Sequence, residues 1–221
     1  MAVEPLDALE AEAARTGAFL LGVGAPDWEL ATRCPPMTFR DLAAHTLRGA
    51  LRLSELLGAP LEGEAERDSV TYWDFDADAE GPKIVERARA VAAAWPGTSV
   101  AGEWSQALKG AIAAARRSLD ANPLLGSPVG TIRLRDYVPT RCIEMTVHSM
   151  DLRDALGLEP DPTPQALGVT CDVLRGILGA DLRPQGFEEV RFALLGTGRS
   201  SLTDAEAATL GPLAASFPLL R

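Results

Sequence analysis

Histidine is scarce in this chain of 221 residues: there are two, His45 and His148. Cysteine is nearly as rare, and Cys34, Cys142 and Cys171 are odd in number and widely spaced. No CxxC pair is present to hold structural zinc, and the three read as free thiols of a reducing cytoplasm rather than a disulfide framework. No apolar run reaches the roughly 18 residues that span a bilayer. The start, MAVEPLDALEAEAART, lacks a basic n-region and is read as helix, not as a signal peptide. Positive charge is also short: the net charge is −10 and the pI about 4.7. Such a surface repels nucleic acid and anionic membranes, so neither is expected as a partner. Gly-rich phosphate loops, GxSxG elbows and dinucleotide fingerprints are absent too. What remains is an ordinary globular composition, 47% hydrophobic and 24% charged, sufficient for one domain with a small appendage.

Apolar spacing predicts a mainly α protein. A first helix is expected over 5–25, stopped by Gly22, Gly24 and Pro26. A second runs from about Thr38 to Leu57, with Thr38 as N-cap and Asp41 three residues later in the acidic first turn. Residues 61–80 read as an acidic loop with a helical turn at Tyr72-Trp73. Helices follow over 82–95, ended by Pro96-Gly97, and over 100–122. Residues 124–134 read as a loop with a short extended piece at 131–134. A central helix starts near Leu134, carries Pro139 early and ends at Gly157. A further helix spans 163–182. In the tail, alternation of Val190, Phe192 and Leu194 predicts a strand in FEEVRFALL, then a turn and a short helix capped by Thr203 with Glu206. This divides the chain into a helical bundle over 1–182 and a small α/β extension over 183–221.

The central helix, RCIEMTVHSMDLRDAL, concentrates the chemistry. Glu144 and His148 lie four apart on one face, and Asp151 follows three later. Apolar Ile143, Met145, Val147, Met150 and Leu152 mark this helix as a core element, where unpaired polar groups are costly. His45 lies inside the second helix near its apolar face. Two histidines and a carboxylate form a three-ligand set that leaves zinc an open position, and bundles build such sites from facing helices. The alternative from pattern alone is a pair of hydrogen-bonded core histidines. Asp151 reads either as the group that orients a ligand imidazole or as a solvated charge. Arg141, one turn before Glu144, is read as its ion-pair partner. Tyr72, Trp73 and Tyr137 are candidates for a pocket wall or for core. Arg199, in the Thr197–Arg199 turn, presents a cation to an anionic substrate or caps the strand. Cys34 and Cys142 read as structural thiols, since nothing in the sequence lowers their pKa.

DWELATRCPPMTFRDLAAHT resembles the first signature of the mycothiol-dependent maleylpyruvate isomerase family, close to DW-x-x-x-T-x-CPGWTVRDL-x-AHL. RCIEMTVHSMDLRDALG resembles its second, of the form R-x-x-EL-x-VHGWDLA-x-ALG, and the order and distance of the two agree. The resemblance covers about residues 5–180. It implies a DinB-like four-helix bundle whose divalent metal, usually zinc, is held by His45, Glu144 and His148. Pro36-Met37 and Ser149-Met150 stand where the family has Gly-Trp, which implies a reshaped pocket. The tail is shorter than the isomerase's own C-terminal domain.

The resulting expectation is a cytoplasmic metalloenzyme, monomeric or homodimeric, with Asp151 and Arg199 as candidate catalytic residues. It would use a small thiol such as mycothiol to isomerise a small electrophilic metabolite or transfer sulfur to it. Two other readings stand beside it: a metal-dependent hydrolase on the same scaffold, and a non-catalytic bundle that binds a metal or ligand.

Overall fold

The computed structural model describes residues 4–95 and 99–220. Among the described residues eight α-helices carry the fold: α1 (Pro5–Leu21), α2 (Phe39–Leu57), α3 (Ala77–Ala94), α4 (Ser99–Ser118), α5 (Leu134–Ala155), α6 (Pro164–Leu178), α7 (Glu189–Gly196) and α8 (Asp204–Leu210). The sheet among the described residues is one antiparallel hairpin of β1 (Leu124–Ser127) and β2 (Gly130–Arg133), paired from Leu124 with Arg133 to Ser127 with Gly130. The mainly helical expectation holds. None of these helices is long and apolar enough to cross a membrane.

α5 organises the rest because it is buried nearly all round. Val138, Cys142 and Met145 form one stripe at helical spacing and enter a core shared with α1, α2 and α4. Ile143, Val147 and Met150 form a second stripe and enter a core shared with α6 and α7. A helix with two apolar stripes has room for one more, and here it is polar: Arg141, Glu144, His148 and Asp151. Arg141, Glu144 and His148 of that stripe face α2, and Asp151 faces Cys34 and Arg199. Pro139 lies in the second turn of α5, where it removes one backbone N–H from the helical ladder, and the helix runs through it.

Local chemistry sets the helix ends. The Thr38 side chain accepts from the Asp41 N–H, and Asp41 accepts from the Thr38 N–H, both at 3.3 Å. This reciprocal capping box fixes where α2 begins and so the phase of His45. α3 begins at Ala77, earlier than the spacing predicts, because the Asp76 carboxylate caps the Ala79 N–H at 3.0 Å. Its anticipated stop at Pro96-Gly97 lies outside the described residues. α6 ends at Gly179, whose φ of +69° is left-handed and suits glycine.

Two elements differ in kind from expectation, and the first helix stops at Leu21, short of the 25 expected. The extended piece near 131–134 is half of a hairpin, with Leu124–Ser127 as its other strand. The strand expected in FEEVRFALL is helix α7. Val190, Phe192 and Leu194 alternate over only three positions, whereas Phe192, Ala193, Leu195 and Gly196 are buried at i, i+1, i+3 and i+4 against α6. The C-terminal extension is therefore helical among the described residues. It shares its core with α5 and α6. The capping box at Thr203 and Glu206 is present as read.

Replacing Thr38 with alanine should lower the unfolding free energy by about 1 kcal/mol, the usual cost of losing an N-cap. Urea unfolding monitored by circular dichroism measures this, and an unchanged midpoint would show that the cap does not hold α2.

Candidate metal centre

α2 and α5 bring the two histidines and Glu144 together. His45 Nε2 lies 3.2 Å from Glu144 Oε2, and His148 Nε2 lies 3.5 Å from the same oxygen. The two rings meet edge to face with centroids 5.0 Å apart. One ligand atom from each of His45, Glu144 and His148 falls within 4.8 Å of the others. Two atoms each bound about 2.1 Å from a tetrahedral ion lie about 3.4 Å apart. The spacing and the donor set of two imidazoles and one carboxylate thus fit a divalent ion.

Behind the centre the second half of the polar stripe is tightly wired. His148 Nδ1 lies 2.9 Å from Asp151 Oδ2. Asp151 is fully buried and receives Arg199 on both oxygens, Nε to Oδ1 at 3.1 Å and Nη2 to Oδ2 at 2.8 Å. The Cys34 thiol donates to Asp151 Oδ2 at 3.3 Å. Arg33 lies 3.9 Å from Asp151 and pairs with Asp154. The backbone N–H of Arg199 donates to the Leu194 carbonyl at 2.7 Å, after Gly198 turns the chain with φ +73°. Thus α7 delivers the guanidinium into the bundle.

Charge follows from this wiring. Burial opposes the charge on His148, but hydrogen bonding to Asp151, then to Cys34 and Glu144, outweighs it and holds the imidazole well above its usual pKa. Burial likewise opposes the Glu144 carboxylate, yet His148, His45 and Arg141 keep it well below the ordinary range. Asp151 behaves in the same way, held down by His148 and Arg199 against its burial. His45 is shifted the other way, chiefly by burial and with help from the charge on His148. The two imidazoles are thus pushed in opposite directions, His148 up and His45 down.

A cavity of about 280 Å³ opens on the outer side of His45 and Glu144. Tyr72, Trp73, Phe75 and Tyr137 supply aromatic walls, and Arg48, Arg52, Arg87 and Arg141 supply charge. On α2, His45, Gly49 and Arg52 repeat at i, i+4 and i+7, so one face of that helix lines both centre and cavity. Asp151 and Arg199 do not line this cavity. The task expected of Arg199, to meet an anionic substrate, is taken in this geometry by pairing with Asp151. Arg141 departs from the reading as partner of Glu144: it donates to the Tyr72 hydroxyl at 3.0 Å and stacks over Tyr137 at 4.7 Å. Met37 and Met150 do not line the cavity, since each packs in one of the two cores. Cys34, Cys142 and Cys171 are free, and burial pushes the thiols of Cys142 and Cys171 up to about 12.

Sequence reasoning missed Arg48, Arg52 and Arg87 as cavity residues. The signal available was the α2 stripe itself, where His45, Arg48 and Arg52 share a face.

Fold and centre together define a helical bundle with a two-histidine, one-carboxylate pocket on facing helices. The family model described as mycothiol maleylpyruvate isomerase N-terminal domain matches residues 9–153, more than half of the chain, and the protein belongs to that family. No curated protein and no solved structure matches the chain.

The Asp151 contact predicts how His148 titrates in metal-free protein. Its raised pKa means that its stabilising contribution is full below the unfolded value of about 6.5 and is lost as pH rises through the folded value. Asp151→Asn should lower the His148 pKa by about 1 to 3 pH units, as expected on losing a contacting carboxylate. Imidazole NMR titration reads this directly, and an unmoved His148 resonance would disprove the coupling.

Proposed function

We propose that His45, Glu144 and His148 hold one divalent metal ion and that the protein uses a small thiol at that centre. The observation that carries the reading is the convergence of both imidazole Nε2 atoms on one Glu144 oxygen at 3.2 and 3.5 Å. Zinc is the first choice, because imidazole and carboxylate donors suit it. When bound, such an ion lowers the pKa of a thiol or water in its remaining position.

The chain's own residues have defined tasks in this proposal. His148 presents Nε2 to the ion while Nδ1 donates to Asp151, which fixes the tautomer and the ring plane. Arg199 neutralises Asp151 and holds it in place, so both act by positioning. The division into a metal-binding unit over 1–182 and an extension over 183–221 then has a purpose, since the extension supplies Arg199. The aromatic cavity beside the centre receives a small electrophilic molecule. The reaction class is a mycothiol-dependent isomerisation or S-transfer, supported by membership of the isomerase family. Three free thiols and an acidic surface favour a cytoplasmic setting without nucleic acid.

Protein purified without a metal-affinity tag should carry about one divalent metal per chain. His45→Ala and His148→Ala should each lose most of it while remaining folded, because the two apolar cores do not depend on the ion. Elemental analysis with circular dichroism decides the matter, and full metal content in both variants refutes the centre.

The thiol is tested separately. In cobalt-substituted protein, mycothiol should add a sulfur-to-metal charge-transfer band in the near ultraviolet, and Cys142→Ser and Cys171→Ser should leave it unchanged. A spectrum indifferent to saturating thiol, together with turnover that needs none, would favour the hydrolase reading.

A further inference from the structure

Two rings of the cavity's aromatic wall are carried by a turn rather than by a helix of the bundle. Tyr72 and Trp73 belong to the single helical turn Thr71–Trp73. Asp68 holds that turn together. Its Oδ1 accepts the Val70 N–H at 2.9 Å, the Thr71 N–H at 2.7 Å and the Thr71 hydroxyl at 2.9 Å. The Tyr72 N–H donates to the Asp68 carbonyl at 3.0 Å, and Trp73 Nε1 donates to the Ser69 carbonyl at 3.1 Å. Residues 68–73 are thus cross-bonded along their length and respond to a push as one piece.

Three supports hold this piece. At the hairpin, the Glu66 and Arg67 N–H groups donate to the Thr131 carbonyl at 3.0 Å, and Arg67 Nε donates to the Val129 carbonyl at 3.1 Å. At α5, the Tyr72 hydroxyl accepts from Arg141, and the Tyr72 ring meets Tyr137 edge to face with centroids 6.0 Å apart. The third support is α6, and there the fit is tightest. A Cβ built on Gly176 would lie 2.7 Å from Val70 Cγ2. That is well inside the roughly 3.5–4.0 Å at which carbon atoms pack. Val70 is poorly placed to turn aside: its φ of −88° and ψ of −48° are helical, where a β-branched side chain keeps one strongly preferred χ1.

Helix chemistry gives no other reason for this glycine. Gly176 lies in the last turn of α6, where glycine is the poorest helix former after proline. It does not end the helix either, since Gly179 takes the left-handed cap. Gly168 of the same helix makes a useful contrast, because a Cβ there would meet nothing within 4 Å. The close approach of Val70 is what position 176 has to accommodate.

We infer that Gly176 is a positioning residue for the cavity: the seat it leaves on α6 fixes Val70, and through the cross-bonded turn the rings of Tyr72 and Trp73. The width of the cavity then depends on a residue that does not line it. That this wall meets the reacting molecule rests on the proposed function. Where the wall stands does not, because none of these contacts involves His45, Glu144 or His148.

Fluorine NMR of protein labelled with 5-fluorotryptophan tests the inference. The chain has four tryptophans, Trp28, Trp73, Trp95 and Trp104, and Trp73→Phe identifies the Trp73 line. Gly176→Ala should shift that line and leave those of Trp28 and Trp104 in place, with circular dichroism unchanged. Gly168→Ala should shift none of them. In a Val70→Ala background the clash is gone, so adding Gly176→Ala should leave the Trp73 line where Val70→Ala alone puts it. An unmoved Trp73 line in Gly176→Ala, an equal response to Gly168→Ala, or a Gly176→Ala shift that survives in the Val70→Ala background would overturn the assignment. So would a changed melting temperature with Trp73 unmoved, which would reduce Gly176 to a matter of local helix stability. The spectra are recorded on metal-loaded and on metal-stripped protein. A failed metal centre would show as absent metal with the Trp73 responses retained, so the two failures are distinguishable.

Discussion

A half-buried carboxylate between two imidazoles is the constraint on which this structure depends. Glu144 sits on a helix whose other faces are committed to two apolar cores, which holds it beside both imidazoles at the wall of the cavity. Its charge is kept only because His45, His148 and Arg141 surround it. Removing any one of these leaves an uncompensated group inside the bundle. The polar stripe of α5 therefore has to be satisfied as a unit, and α2 must arrive with His45 in phase. The capping box at Thr38 and Asp41 sets that phase seven residues before the histidine.

The same constraint explains why the short C-terminal segment is part of the bundle. Asp151 is fully buried, and its charge is balanced by an arginine that comes from beyond α7. Phe192, Ala193 and Leu195 bury α7 against the second core, and the turn after it aims Arg199 inward. Tail packing and the orientation of His148 are thus linked through one carboxylate.

Much of this was legible in the sequence. Glu144 and His148 at four-residue spacing, a lone further histidine in an apolar helix and a capping signal before it were enough to gather the trio. Helical spacing gave the bundle. Two kinds of feature were not legible. Alternation over three residues does not distinguish a strand from a helix, and burial against α6 decided for helix at Val190–Leu194. Neighbourhood along a helix also does not fix ion pairing. Arg141 and Glu144 are one turn apart, yet stacking on Tyr72 and Tyr137 keeps the guanidinium out of direct ion-pair contact, so that it acts on the carboxylate only through its nearby charge. The convergence of Arg48, Arg52 and Arg87 on one cavity depends on how α2 and α3 cross, which no local pattern encodes.

The described residues contain two overlapping sets that could hold an ion: His45, Glu144 and His148, and Cys34, His148 and Asp151. The second is disfavoured because Asp151 already bears Arg199 on both oxygens. X-ray absorption at the metal edge of the resting protein separates them most directly. The account predicts only nitrogen and oxygen neighbours at about 2.0–2.1 Å, with the outer scattering of two imidazoles. A sulfur neighbour at about 2.3 Å before any thiol is added would put Cys34 on the metal and contradict it.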